Sequence, residues 1–549
     1  MSITTRRSFL HAAAATPIAA RAMPPKLPNV VLIITDDQGY GDVGIHGNPR
    51  IHTPNMDRIA REGVQFTRFH VSPVCSPTRS SLMTGRWNYR TSVVDTYLGR
   101  SNLHPDEVTM AQIFHTAGYR TGIFGKWHLG DNYPMRATDR GWDTSIVHRG
   151  GGLSQPSGVP NERYFDPVLL YNGVARKTPG YCTDIFANAA IEFIEKNRNR
   201  PFFTYLATNA PHQPLEVDER HVAPYRAAGL NEWDSKVYGM VTNIDDNIGR
   251  VLERLRALKL EENTIVIFMT DNGPDRVRFN GGMRGLKGTV YEGGIRVPFF
   301  MRWPARLKPG RVDRLAAHID VLPTLADACG VPLPEKVKLD GRSLMPLVRG
   351  GRVDWPDRNL FLQWHRGDVP EPFRNACVLN QRYKLVNGKE LYDLESDPAE
   401  SRDIATSDPD RVASMRRAYE EWFRDVSSTR GYDPPPIYVG TRFENPVRLT
   451  RQDLRGPDAS WKTSGRGHWV VDVRTAGDYE ISFDFPPREA AGSATVRLAG
   501  AEAKLDLAPR APGCVFKRLH LKSGPTQLEA TLDFAGTPAG PEYVEVRKL

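Results

Sequence analysis

The sequence is poor in cysteine: five residues in 549, an odd number, with no C-x-x-C pair. A disulfide scaffold and a zinc-finger type of metal site are therefore not indicated. We interpret Cys182, Cys329, Cys377 and Cys514 as small buried apolar residues. Cys75 differs from them because of the residues around it.

Long apolar runs are also missing, since no segment approaches the roughly twenty uninterrupted apolar residues that a membrane helix needs. Residues 4–22 carry the pair Arg6-Arg7, then an Ala-rich stretch that ends in an A-x-A site. This pattern predicts a cleaved twin-arginine signal peptide over 1–22. We therefore expect export through the twin-arginine translocase to the periplasm or the medium, with no membrane anchor.

Dense runs of Lys and Arg are absent too, although the formal net charge is +9. Because no nucleic-acid motif accompanies this diffuse charge, we expect no nucleic-acid partner and favour an anionic substrate. Solubility alone would explain the charge equally well. With 40% hydrophobic and 25% charged residues, the chain is typical of globular proteins and long enough for two or three domains.

Buried strands alternate with helical periodicity in the first part of the chain. The runs 29–35, 201–207 and 264–270 are apolar without alternation, which is typical of strands buried on both faces. Apolar residues at helical spacing over 237–255 predict a helix, on which Asp245 and Asp246 are expected to face solvent. The fold class indicated is α/β.

The pattern of apolar and polar residues changes towards the carboxyl end. Short strands around 382–394 predict a small antiparallel sheet, closed by a helix at about 408–425. A stretch of three prolines, 434–436, is a credible linker. Residues 437–549 alternate apolar and polar side chains with period two, so we predict an appended all-β sandwich there.

Two pairs of polar residues follow two of the buried strands: Asp36-Asp37 after the first and Asp271-Asn272 after the other. Ligands of open α/β sheets bind at the carboxyl ends of the strands, so these pairs can meet. An oxygen-only ligand set favours Ca²⁺ or Mg²⁺ over zinc. An Asp in a strand-ending turn often serves only the turn, but two equivalent pairs favour a metal site.

Between these pairs lies Cys75-Ser-Pro-Thr-Arg79. Pro77 suits the first turn of a helix, which places Cys75 at the helix N-terminus, where free amides and the dipole attract anions. Arg79 follows one helical turn later on the same face. A nucleophile and a guanidinium would then face one anion.

The sequence resembles the sulfatase family in this C-x-P-[ST]-R motif and the Leu-Met-Thr-Gly that follows it. The segments 118–128, 210–212 and 285–288 resemble three further family motifs, and the resemblance covers roughly 28–425. It implies an alkaline-phosphatase-like mixed sheet flanked by helices over 28–335 and a small antiparallel C-terminal subdomain over 336–432. It also implies bound Ca²⁺, in preference to Mg²⁺, and a formylglycine made from Cys75 by a formylglycine-generating enzyme.

The resemblance also implies roles for individual residues. One hydroxyl of the hydrated aldehyde attacks sulfur, and loss of a proton from the other expels sulfate, with His128 as the base. The remaining catalytic residues would be Arg79 and Lys126, which steady the hydrate, and His212 and Lys287, which bind sulfate and protonate the leaving oxygen. The metal ligands would be Asp36, Asp37, Asp271, Asn272 and the residue derived from Cys75.

The substrate is less defined. Loop residues that suit sugars or acids are His46, Trp87, Asn88, Arg90, 148–152 and 364–366. They favour a sulfated carbohydrate, small or polymeric, without excluding a phenolic ester. Two alternatives remain: a formylglycine-dependent phosphonate or phosphate ester hydrolase, and a non-catalytic glycan-binding protein that uses the sandwich.

Overall fold

A computed structural model describes residues 27–158, 162–350 and 353–549. The predicted signal peptide over 1–22 lies outside these residues. Within them, no helix has both the length and the apolar character that crossing a bilayer requires. The secondary structure that follows refers to this part of the chain.

Twelve strands occur before residue 318. They are β1 (Asn29–Thr35), β2 (Val64–Phe66), β3 (Phe69–His70), β4 (Arg120–Lys126), β5 (Thr144–His148), β6 (Val168–Tyr171), β7 (Val174–Lys177), β8 (Phe202–Ala207), β9 (Thr264–Thr270), β10 (Phe299–Arg302), β11 (Gly310–Val312) and β12 (Ala316–Ala317). Ten of them form one sheet in the order β11-β2-β10-β9-β1-β8-β4-β5-β6-β7, while β3 pairs with β12. The central strands β9, β1, β8, β4 and β5 are parallel, and antiparallel strands flank them.

Helices cover both faces of this sheet. They are α1 (Pro54–Glu62), α2 (Cys75–Thr84), α3 (Met110–Thr116), α4 (Cys182–Lys196), α5 (Glu219–Ala227), α6 (Glu232–Ala257), α7 (Glu292–Ile295), α8 (Val321–Cys329) and α9 (Met345–Val348). Alternate residues of β1 enter two separate cores, Val30, Leu32 and Ile34 one of them and Val31 and Ile33 the other. Burial on both faces explains the uninterrupted apolar runs of the central strands.

A small antiparallel sheet follows, as predicted. Its strands β13 (Leu360–Gln363), β14 (Ala376–Leu379), β15 (Tyr383–Val386) and β16 (Glu390–Asp393) pair in chain order. The helix α10 (Pro409–Ser427) packs on them through Met415, Tyr419 and Trp422.

Two further sheets complete the chain and confirm the predicted β-sandwich. Their strands are β17 (Ile437–Val439), β18 (Val447–Thr450), β19 (His468–Val473), β20 (Gly477–Asp484), β21 (Gly492–Leu498), β22 (Ala501–Leu507), β23 (Gly513–Leu521), β24 (Gly524–Phe534), β25 (Thr537–Ala539) and β26 (Tyr543–Lys548). One sheet runs β17-β19-β24-β21-β22 with β25 on β24, and the other β18-β26-β20-β23. Leu98 and Met135 of the α/β part belong to the sandwich core, so the two parts share apolar packing.

One expectation about α6 is wrong. Asp245 is fully buried and accepts hydrogen bonds from the backbone N–H groups of Asn55 (3.0 Å) and Met56 (2.8 Å), at the start of α1. It therefore satisfies free amides at a neighbouring helix N-terminus. Asp246 is exposed, as expected, and lies 3.2 Å from His221.

The cysteines are all free, and Cys514 is only half-buried.

Candidate active site

The carboxyl ends of β1 and β9 lie side by side. The strands are parallel, and Thr35 stands opposite Thr270. The next residues, Asp36-Asp37 and Asp271-Asn272, are therefore brought together and are all buried. The Asp37 backbone N–H donates to Asp271 Oδ1 at 3.3 Å, which links the two strand ends.

Asp37 is surrounded by cations and donors. Lys287 Nζ lies 2.6 Å and Asn272 Nδ2 2.8 Å from Asp37 Oδ1, and His212 Nε2 lies 3.9 Å from Asp37 Oδ2. Burial opposes ionisation of this carboxyl, but Lys287 and His212 outweigh it and hold its pKa well below the usual range. Asp37 is thus a carboxylate.

The pKa values of the other two carboxyls shift in the opposite direction. Burial raises the pKa of Asp36, and Lys126 opposes the rise only in part. Burial and the neighbouring Asp36 raise the pKa of Asp271 to about 6, against the effect of Arg79. Three acidic side chains in one buried place repel each other, and a bound cation would relieve that repulsion.

The site fits a hard cation. Asp36 Oδ1 and Asn272 Oδ1 are buried and have no hydrogen-bond partner among the described residues. Ligand atoms of Asp36, Asp37 and His212 lie within 4.8 Å of one another, as do those of Asp36, Cys75 and Asp271. Carboxylate and amide oxygens are the donors that Ca²⁺ and Mg²⁺ prefer.

Cys75 is the first residue of α2, as predicted, and only 3% of it is exposed. Burial raises the pKa of its thiol, although Lys126 and Lys287 act against the rise. The unmodified side chain therefore stays a neutral thiol, which is a weak nucleophile. The site provides cations for an anion but not an activated thiolate.

Arg79 and Lys126 contact carboxylates. Arg79 Nε and Nη2 lie 3.1 and 2.8 Å from Asp271 Oδ2, and Arg79 Nη1 donates to the backbone carbonyl of Lys126 at 3.2 Å. Lys126 Nζ forms a buried ion pair with Asp36. Both cations thus hold carboxylates of the acidic cluster in place.

His128 has the geometry of a base. Its ring Nε2 donates to the Thr96 carbonyl at 2.8 Å, and Nδ1 is buried with no partner among the described residues. Burial, aided by Lys126, lowers its pKa well below the usual value, so the ring is neutral. Because a carbonyl can only accept, the proton is on Nε2 and the lone pair on Nδ1 is available.

His212 and Lys287 lie beside Asp37 as a neutral and a charged group. His212 Nδ1 donates to the Gln213 carbonyl at 2.7 Å, and burial lowers the pKa of His212 to about 4. Although burial opposes its charge, Asp37 raises the pKa of Lys287 above the usual range.

A cavity of about 440 Å³ opens over these groups. Its lining includes Cys75, His128, His212 and Lys287, with a wall formed by Thr96, Gln155, Trp364, Arg366 and Trp461. Residues 151, 364 and 366 were expected at this mouth. Thr96, Gln155 and Trp461 were not, because nothing in their local sequence distinguishes them from other loop residues.

Four other loop candidates lie away from the cavity. Trp87, Asn88 and Arg90 are buried, and Arg90 pairs with Asp340 (2.9 Å) and Asp425, so these residues pack against the C-terminal subdomain. His46 stacks on Tyr40. None of the four lines the cavity.

His148 was predicted only as a loop residue that suits the substrate, but it lies beside the proposed catalytic residues. It ends β5 and stands in register opposite Lys126, which ends β4. It is buried, and burial lowers its pKa to about 3. Its position at a strand end, like that of the acidic pairs, was the available signal.

Comparison with known proteins gives consistent matches. A family model described as Sulfatase matches residues 28–331, and one described as N-sulphoglucosamine sulphohydrolase, C-terminal, matches 286–423. Arylsulfatase A of Homo sapiens is 33% identical over 473 residues, which are 78% of this chain and 88% of that protein. N-acetylgalactosamine-6-O-sulfatase of Bacteroides thetaiotaomicron is 29% identical, over 72% of this chain and 92% of its own length.

Among solved structures, the crystal structure of Ps i-CgsB in complex with k-i-k-neocarrahexaose matches with a TM-score of 0.68 and 29% identity. The match covers 74% of this chain and 95% of that chain.

Proposed function

The chain belongs to the sulfatase family and is a sulfuric ester hydrolase, and we propose that its nucleophile is a formylglycine made from Cys75. The modified residue would supply a hydrated aldehyde whose hydroxyl attacks sulfur. The observation that carries the proposal is the position of Cys75, at a helix N-terminus in the same cavity as His128, His212 and Lys287. The buried neutral thiol is a weak nucleophile, which supports the proposed modification.

We propose Ca²⁺ as the cation, held by Asp36, Asp37, Asp271, Asn272 and the residue derived from Cys75. It would lower the pKa of the nucleophile and neutralise sulfate oxygens. The two unpartnered oxygens, Asp36 Oδ1 and Asn272 Oδ1, support this ligand set. Arg79 and Lys126 keep Asp271 and Asp36 oriented, and we assign them this holding role in addition to steadying the hydrate.

Histidine and lysine side chains transfer the protons of the proposed reaction. His128 accepts a proton at Nδ1, the nitrogen that its bond to Thr96 leaves free. Lys287 and His212 bind the sulfate group, and the charged Lys287 is the positioned acid that protonates the leaving oxygen. Lys287 carries the positive charge in the resting site.

We propose a sulfated carbohydrate as substrate. The names of the relatives include an N-acetylgalactosamine-6-O-sulfatase, and the related crystal structure holds a neocarrahexaose. The wall formed by Trp364 and Arg366 suits a sugar face and an anionic group. Small aryl sulfates should also be hydrolysed, because the proposed catalytic residues would act on the sulfate ester and not on the rest of the alcohol.

We also propose the order in which the enzyme is modified and exported. Cys75 is buried once the chain folds, so a formylglycine-generating enzyme must act before folding is complete. The twin-arginine translocase moves folded protein, so modification would occur in the cytoplasm and the mature enzyme would reach the periplasm or the medium. We also propose the domain limits 28–335, 336–432 and 437–549.

Two measurements test the nucleophile. A mass spectrum of the peptide containing Cys75, from protein of the native host, should show the mass change for replacing CH₂–SH by CHO. The variant Cys75→Ala should lose sulfate release from 4-nitrophenyl sulfate by at least about 10³-fold. An unmodified thiol, or an active Cys75→Ala, would contradict the proposal.

The same preparation separates the alternatives. We expect faster turnover of an aryl sulfate than of an aryl phosphonate or an aryl phosphate diester at equal concentration. A preference for a phosphorus ester would favour the phosphonate or phosphate ester hydrolase. Absence of all turnover, with saccharide binding retained, would favour the glycan-binding protein.

A further inference from the structure

The sandwich contributes a side chain to the catalytic cavity. Trp461 lies in the loop before β19 and lines the cavity together with Cys75 and His128. Its ring meets Tyr97 edge-on, with centroids 5.1 Å apart and planes at 77°. The indole N–H makes no hydrogen bond within the described part of the chain, so ring packing holds Trp461 in place.

The loop that carries Trp461 is bonded to the α/β part and to the C-terminal subdomain. Arg455 Nη1 donates to the Leu98 carbonyl at 2.7 Å and pairs with Asp368 at 2.6 Å. The Gly99 N–H donates to the carbonyl of Gln452 at 2.8 Å. These bonds hold the sandwich against the segment 95–100, which borders the cavity.

The same segment joins the sandwich to the proposed base. The Thr96 carbonyl accepts from His128 Nε2 at 2.8 Å and from Gln452 Nε2 of the sandwich at 2.9 Å. Trp461 and His128 are therefore positioned by neighbouring residues, Tyr97 and Thr96. Trp461 and His128 thus line the same cavity from adjacent supports.

A second aromatic residue and a cation complete this rim. Trp364 Nε1 donates to Asp95 Oδ1 at 3.0 Å. The Arg366 guanidinium lies 4.4 Å from the Tyr97 ring centroid and 5.1 Å from that of Trp364, with its side chain 54% exposed. Indole faces stack on pyranose rings, and a guanidinium binds sulfate or carboxylate groups.

We propose that Trp461 forms a subsite for a pyranose ring next to the sulfated sugar, so that the sandwich is part of the substrate site. This inference rests on the carbohydrate substrate proposed above. The cavity volume of about 440 Å³ lies in the range of pockets that enclose whole small ligands, which leaves room beyond the sulfate group. Arg366 would bind an anionic substituent on the same ring or its neighbour.

The test compares a small and a large substrate in the full-length enzyme. Trp461→Ala should leave kcat/KM for 4-nitrophenyl sulfate within about twofold and lower kcat/KM for sulfated di- to hexasaccharides about tenfold or more, through KM. Trp461→Phe, which keeps an aromatic face, should recover most of the loss. Trp355→Ala is the matched control, because Trp355 packs on Arg342 away from the cavity.

The outcomes separate the subsite from the proposed function. Equal losses on both substrate classes, or no loss on saccharides that the unaltered enzyme hydrolyses, would overturn the subsite and leave the sulfatase function intact. Hydrolysis of the aryl sulfate with no saccharide turned over would refute the carbohydrate substrate and the subsite together. If Trp461→Ala does not fold, Trp461→Leu, which keeps an apolar side chain without an aromatic face, must show the same selective loss on saccharides, and unchanged saccharide turnover in that variant would overturn the subsite.

Discussion

At the residue scale, two side chains of the site have unusual backbone conformations. Asp37 and His128 are non-glycine residues with φ of 63° and 57°. Such conformations cost free energy and concentrate at functional sites. Glycine acts differently near His128: a Cβ built on Gly151 would lie 2.4 Å from His128 Cε1, so only glycine lets this loop approach the ring.

Gly151→Ala should therefore impair catalysis by displacing His128. We expect kcat for 4-nitrophenyl sulfate to fall about 10- to 100-fold, because small misplacements of a catalytic group cost rates of this order. Conversion of Cys75, measured by mass spectrometry, should be unchanged. Gly310→Ala is the control, since the nearest atom to its added Cβ is 3.9 Å away. An unchanged kcat in Gly151→Ala would contradict the placement of the base.

At the element scale, the parallel register of β1 and β9 builds the acidic cluster. Both strands end at the same level, so residues more than 230 positions apart in sequence become neighbours. The N-terminus of α2 brings Cys75 to the same place. The site thus depends on where three elements begin or end.

Asp37→Asn should weaken metal binding while keeping the shape of the side chain. We expect most of the bound calcium to be lost on dialysis, measured by elemental analysis, and activity to fall at least about 100-fold. Asp246→Asn on α6 is the control, because that side chain is 58% exposed and pairs with His221. Full calcium content in Asp37→Asn would remove this residue from the ligand set.

At the scale of the whole molecule, the sandwich and the α/β part share a buried acidic contact. Asn102 Nδ2 donates to Asp453 Oδ1 at 2.9 Å. Burial, and then the nearby Asp131, raises the pKa of Asp453 to about 7, while Arg149 and Arg455 act in the opposite direction. Burial likewise raises the pKa of Asp131 to about 6. The interface therefore favours protonated carboxyls.

This contact predicts a pH dependence of stability. The folded state retains a proton on Asp453 that the unfolded chain releases near pH 4, so the stabilisation is complete below that pH and is lost as the pH rises through about 7. The free energy of unfolding of the unaltered protein should fall between pH 5 and pH 8. In Asp453→Asn this fall should be smaller by about 2 kcal/mol. Urea unfolding at both pH values measures it.

The control for this prediction is Asp458→Asn, in the same loop, whose carboxylate pairs with Arg466 at the surface. It should follow the unaltered protein at both pH values. Equal pH dependence of Asp453→Asn and the unaltered protein would show that Asp453 ionises normally in the fold.

Sequence patterns predicted most of the elements, because burial on two faces or one face leaves a periodic signal. The strands at 29–35 and 264–270 have the predicted bounds, and the helix predicted over 237–255 lies within α6. The burial of Asp245 was not predicted, because its hydrogen-bond partner is the start of α1. The apolar periodicity of α6 carries no information about that contact. The ion pair between Arg79 and Asp271 was not predicted for a similar reason. The motif identifies Arg79 but carries no information about the strand end that lies beside it.

The sequence by itself determined the motif around Cys75, the acidic strand ends and the alternation of the sandwich, since each depends on residues close together in the chain. Only the tertiary structure decided that Arg79 and Lys126 hold carboxylates and that Trp461 of the sandwich reaches the cavity of Cys75. These are contacts between elements distant in sequence. Strand register and domain packing set them, and neither leaves a local pattern in the chain.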